Sequence, residues 1–358
     1  MSFKRLDPED FLISADSITA PAWSGNAPTL TEFYTSSVQA AAASGDYYLS
    51  IYQTGSTLSN AAVQFNIAFG DSEGSGSLLY NSGIDGKSPT STIFGQFQNI
   101  VLGDESTTFT FGDVTPVTQS FYVLTIERTR YKEKLFPGTL SLKIASASAG
   151  LPSGDSYITL TDNSNDVAVQ TFNEAGRVFQ LVSGSNGSAI SLATSAPGAS
   201  VKGQTVSGSY GYFLPDIGTI LLNASALDLP FASGGVALGT DYSSNTDSQN
   251  PSKLFNIISG SSEAASGSFT LNSEETITSD YVFVRARNAE FNYSENPSFI
   301  TGSTGEVLYT DFINSPEVFA TTVGLYNDNN ELLATAKLSR PLKKNFTKEA
   351  LVRIKLDF

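Results

Sequence analysis

The sequence predicts an all-β protein of two or three β-sandwich-like domains with one or two short helices. Three observations predict it. Phe (24) and Tyr (15) are plentiful, and both favour pleated, half-buried surfaces. Apolar residues make up 40% of the chain and charged residues 15%, a balance that builds cores and is the reverse of a disordered chain. Thirty Gly, with abundant Ser, Thr and Asn, supply turns. At 358 residues the chain is too long for one ordinary sandwich.

The first thirty residues read as an extended arm. Phe11, Ile13 and Ala15 alternate with Leu12 and Ser14, while Pro8, Pro21 and Pro28 bar a long helix. Trp23, the single Trp, anchors this arm, by default on its own domain and otherwise on a neighbour. Strands follow at 47–53 and 61–69. In the second, Val63, Phe65, Ile67 and Phe69 share a face. Ser88 suits a helix N-cap, Pro89 the first helical position and Gly103 the position past the end. Between them Phe94, Phe97 and Val101 recur at helical spacing, so a helix is expected over 89–102.

Strands resume at 107–111, 121–131 and 139–145. A Ser/Ala/Gly/Pro stretch at 146–154 reads as a domain boundary. Strands are next expected near 157–161, 178–182 and 210–223. A short helix beginning at Asn250 and Pro251 buries Leu254, Phe255, Ile257 and Ile258. A second boundary is expected at 259–267. The last part is again β. Tyr281, Phe283, Arg285 and Arg287 share one strand face, and strands at 318–326 and 331–338 flank a hairpin turn at Asn327-Asp328-Asn329-Asn330. In the closing strand Ala350, Val352, Ile354, Leu356 and Phe358 point one way and Leu351, Arg353, Lys355 and Asp357 the other. That register places the terminus in a sheet or an interface. The organisation expected is therefore an arm over 1–30 and β domains over 31–148, 149–265 and 266–358.

Chemistry is restricted by what the chain lacks. There is no Cys, no His and one Met, which removes disulfides, thiolates, imidazole bases and the usual zinc sites. The opening MSFKRLDPEDFLIS does not read as a signal peptide, and no run of 18 apolar residues predicts a membrane-spanning helix. The net charge of −15 is uneven. Residues 337–358 hold seven basic and two acidic side chains, or +5, so the other 336 carry −20. An acidic body repels nucleic acid and anionic membrane, while the basic end either docks on an acidic neighbour or guards a sheet edge.

Four patterns invite a chemical reading. Gly70-Asp71-Ser72-Glu73-Gly74 fits G-x-S-x-G after a strand, but a serine nucleophile of that class needs a histidine, so the segment reads as a loop. Asp162-Asn163-Ser164-Asn165-Asp166 spaces oxygens as a calcium loop does. Val167 stands where Gly is required and Asn173 where the bidentate Glu belongs, so it reads as a turn. Glu274-Glu275 and Asp104-Glu105 are adjacent carboxylates, the only acid–base apparatus left, and both sit beside turns. Arg128, Arg130, Lys132 and Lys134 alternate, and on a strand they form one cationic face for a neighbouring subunit or for internal salt bridges. No cofactor and no metal is expected.

The stretch from Ser75 through Leu102 and the segment FYVLTIERTRYKEKLFPG at 121–138 resemble virion structural proteins of contractile-tailed phages, notably those infecting marine cyanobacteria. The segment TTVGLYNDNNELLATAKLSRPLKKNFTKEALVRIKLDF at 321–358 is similar to the closing segment of related tail and baseplate proteins, where a hairpin precedes a last strand. The resemblance covers about a third of the chain. It implies a particle component with no catalytic residues to carry over, located in the virion and partnered by other virion structural proteins in a symmetric assembly. Nucleic acid and membrane are not expected partners. Trp23, Arg128, Arg130, Arg353 and Phe358 are the interface candidates, with strand addition by the arm and the last strand as the means. The competing readings are a capsid decoration or glycan-binding fibre module displaying Tyr210, Tyr212 and Phe213, and a carboxylate-only glycan depolymerase.

Overall fold

A computed structural model describes residues 4–35, 48–76, 88–111, 117–148, 151–167, 171–190, 209–243, 249–260, 268–294, 296–301 and 303–357. Phe358 and most of the boundary expected at 259–267 lie outside the described residues.

The chain is mostly β. Its first half runs β1 (Phe11–Pro21), β2 (Thr29–Leu30), β3 (Tyr34–Thr35), β4 (Tyr48–Tyr52), β5 (Val63–Asp71), α1 (Pro89–Leu102), β6 (Ser120–Ile126), β7 (Lys134–Leu135), β8 (Ser141–Ser148) and β9 (Leu151–Asp162). Then come β10 (Thr171–Asn173), β11 (Gly176–Ser185), β12 (Ser188–Ala189), β13 (Gly211–Leu214), β14 (Thr219–Asn223), α2 (Ala224–Asp228), α3 (Asn250–Ser259) and β15 (Phe269–Thr270). The last part holds β16 (Asn272–Ala286), α4 (Thr310–Asn314), β17 (Val318–Tyr326), β18 (Leu332–Lys344) and β19 (Ala350–Asp357).

Two compact units result. The larger is Ile18–Glu275; the smaller joins Met1–Ser17 to Thr276–Phe358. The larger unit is built on a 13-stranded antiparallel sheet whose main path is β2-β15-β8-β9-β11-β13-β14-β6-β5-β4-β3. Strand alternation divides its side chains between two cores. Phe65, Ile67 and Phe69 of β5, Tyr122 and Leu124 of β6, and Ile220 and Leu222 of β14 enter one cluster, to which strands from β2 across to β4 contribute. Phe121 and Val123 of β6 and Leu221 of β14 face the other way, into a second cluster closed by Phe94 and Val101 of α1 and by Phe109 and Phe111. Phe94 stacks on Phe121 with centroids 4.8 Å apart.

α1 has the expected ends. The Ser88 hydroxyl accepts from Ser91 N–H at 3.3 Å, and Gly103 closes the helix with φ 76°. The helix lies close on β5, because a Cβ at Gly70 would stand 3.0 Å from the backbone N of Phe94. α3 likewise starts at Asn250 and buries Leu254, Ile257 and Ile258.

Three expectations fail here. The boundary at 146–154 does not exist: β8 and β9 form a hairpin across it, pairing Ala147 with Pro152 and Ser148 with Leu151. Residues 31–148 and 149–265 therefore belong to one sheet rather than to two domains. Residues 107–111 are not a strand, although Phe109 and Phe111 are buried. The strand at 121–131 stops at Ile126, where Glu127 N–H donates to Gln64 O, and Arg128–Arg130 form one 3-10 turn closed by Arg130 N–H on Glu127 O.

The smaller unit contains the later part of β16, which pairs antiparallel with β19 from Ser279–Asp357 to Ala286–Ala350, with β1 on its other side. β17 and β18 form a separate two-stranded ribbon. The arm is thus extended, as expected, but it is not free.

Candidate functional site

The interface candidates occupy quite different places. Trp23 is 3% exposed. Its indole N–H donates to Phe269 O at 2.9 Å, and its ring packs on Phe269 and Phe65 at 4.9 and 6.2 Å. It holds β2 and β15 to the main core and has no surface to offer a neighbour. Arg128 and Arg130, sitting in the 3-10 turn, do not form the cationic strand face. The Arg128 guanidinium lies 4.7 Å from the Tyr131 ring centroid and donates to Tyr131 O, while Arg130 donates to Thr129 Oγ1. Lys132 pairs with Glu275 at 2.7 Å and Lys134 with Glu274 at 4.0 Å. Arg353 is exposed on β19 with its guanidinium 5.1 Å from the Tyr281 ring centroid, a position open to a partner.

The acidic patterns serve local structure. Asp71 accepts from Glu73 N–H and Ser75 N–H, which folds the G-x-S-x-G stretch into a tight loop. Asp162 accepts from Gly138 N–H at 3.0 and 2.9 Å and from Ser164 N–H at 3.1 Å, and Asp166 accepts from Ala189 N–H at 2.7 Å. A cation at this loop would have to displace those donors. Burial pushes both the Asp71 and Asp162 carboxyls up from their ordinary value, against the backbone hydrogen bonds that lower it. Asp104 caps its own turn through Ser106. Tyr210 and Phe213 are core residues, and the half-buried Tyr212 donates to Thr110 O at 3.1 Å, so the aromatic cluster expected for glycan contact is not displayed.

What sequence reasoning missed is the condition of the smaller unit. Both hydrophobic clusters lie wholly in the larger unit. Among the described residues of the smaller one, the buried apolar side chains are Val282 and Ile354 alone. Its exposed large apolar side chains are many, among them Ile13 (73%), Ile313 (66%), Phe319 (61%) and Leu333 (68%). Polar pairs hold it instead. Arg285 Nε donates to Asp10 Oδ1 at 2.8 Å, and Lys4 pairs with Glu290 at 3.0 Å. Lys344, 2% exposed, donates to Asn292 Oδ1 and to the carbonyls of Asn288 and Asn345. No single residue announces this condition.

The same unit carries a groove of about 910 Å3 lined by Phe291, Tyr293, Phe312 and Phe346 with Asn292 and Asn296. The described residues that line it carry no charge.

Comparison with protein-family models, with curated proteins and with solved structures finds no match to the chain.

Proposed function

We propose that the chain is a non-enzymatic structural component of a tailed-phage particle, of tail or baseplate type, which joins its neighbours through the smaller unit. The observation that carries this reading is the uncovered apolar surface of that unit. The described residues of this unit bury two apolar side chains, too few to offset the entropy of ordering their backbone. Apolar surface left open on this scale marks a protein–protein interface. The resemblance of 321–358 to the closing segment of tail and baseplate proteins supplies the context. Partners meet the exposed faces of β17, β18 and β19.

Light scattering of the purified chain, alone and mixed with purified tail proteins of the same particle, tests the proposal. A discrete oligomer, or a complex formed with tail components, is expected. A monomer that ignores them rejects the reading.

A second reading rests on the aromatic groove. Four rings with neutral amides suit a saccharide, which stacks its C–H faces and hydrogen-bonds to amides. Calorimetric titration with neutral host-surface glycans would detect binding, and the Tyr293→Ala chain should lose it.

A further inference from the structure

We infer that the outer edge of β17 pairs antiparallel with the β17 of a second copy of this chain, turning two ribbons into one four-stranded sheet. The inference deepens the assembly reading by naming one surface and one partner, and it rests on that reading only in expecting a chain that associates.

An open edge is a template for another strand, and proteins protect edges by shortness, charge or proline. The edges of the large sheet are β2 and β3, each two residues long. β1 carries Asp16 and ends on Pro21, and β19 carries Arg353 and Lys355. β18 carries Lys337, Arg340, Pro341 and Lys343. β17 reads VFATTVGLY, nine residues with no charge and no proline. Among the described residues no strand pairs with its outer side.

An isolated two-stranded ribbon is marginal in water, whereas further strands make it stable. Register shifts between Ala320 and Thr322 and between Leu325 and Tyr326 leave Thr322–Leu325 as the longest regularly paired stretch. Within that stretch Val323 and Leu325 lie half-buried on one face, opposite Ala336 and Ala334 of β18. A two-fold pairing makes this apolar stripe continuous across both copies.

Charge selects the edge. Pairing through β18 would bring Lys337, Arg340 and Lys343 of two copies together. Pairing through β17 leaves the two basic strands outermost, three spacings of ~4.8 Å apart, or about 14 Å, which exceeds the Debye length of ~8 Å in physiological salt. A contact that uses the same patch on both copies closes on itself as a dimer.

Sedimentation equilibrium of the full chain and two variants tests this. Gly324→Glu places a carboxylate in the paired stretch, opposite the neutral Thr335 of its own ribbon. Thr322→Glu does the same opposite Lys337, so its own ribbon gains an attractive pair and stays folded. The parent should dimerise, each variant should raise the dissociation constant at least about tenfold, and molar salt should restore part of the loss. Arg340→Glu, on the other strand, should leave dimerisation intact. A monomeric parent, or an oligomer that both variants leave unchanged, overturns the inference. In the second case the assembly reading survives; a monomer that also ignores tail proteins removes both.

Discussion

The Arg177–Asp216 pair is the clearest electrostatic contact in the larger unit. Arg177 Nη2 donates to Asp216 Oδ1 at 2.7 Å, and Arg177 N–H reaches Oδ2 at 2.7 Å. Burial pushes the Asp216 carboxyl up, but the Arg177 hydrogen bonds and charge, with Lys134 nearby, outweigh it and hold the pKa below the ordinary carboxylate value. A carboxylate with a depressed folded pKa stabilises the fold above its unfolded pKa, and that stability is lost as the pH falls through the folded value. Arg177→Met should therefore cost about 2 kcal/mol in denaturant unfolding at neutral pH, and the difference from the parent should shrink below the ordinary carboxylate range. A cost independent of pH would count against the pair. Trp23→Ala should cost about 3–5 kcal/mol by opening a cavity against Phe269 and Phe65, with the mass in solution unchanged. A variant that stays stable but dissociates would restore Trp23 as an interface residue.

At the level of elements, local signals worked wherever the cause of the element is local. Ser88, Pro89 and Gly103 mark both ends of α1, and Ser88→Ala should cost about 1 kcal/mol in thermal unfolding by leaving Ser91 N–H without its acceptor. Gly70→Ala should cost about 1–3 kcal/mol, because the added methyl meets the backbone of α1 rather than a movable side chain. No measurable change would mean that α1 does not sit on β5 as described. The alternation of Phe65, Ile67 and Phe69 and that of Val352 and Ile354 were equally legible, since a strand face needs only its own period. Long-range pairing was not legible. The Ser/Ala/Gly/Pro composition of 146–154 looks like a linker, yet β8 and β9 pair straight through it. Arg128 and Arg130 alternate as strand residues do, but β6 leaves the sheet at Ile126 and the turn takes them out of register. The candidate site was hidden for the same reason. Exposure on β17 and β18 depends on which strands fail to arrive, and no residue encodes that.

For the whole molecule the central fact is the unequal division of apolar burial. The larger unit holds both hydrophobic clusters and accounts for its own stability, whereas the smaller has Val282 and Ile354 buried and a wide apolar surface open. On the proposed function, the order of the larger unit is carried within the chain and that of the smaller is completed by a neighbour. Backbone hydrogen exchange of the full chain, followed from high protein concentration to extreme dilution, tests that separation directly. Protection in Ile18–Glu275 should be independent of concentration, while protection across β17, β18 and β19 should fall on dilution as the oligomer dissociates. Equal and concentration-independent protection of both units in a monomer would contradict it.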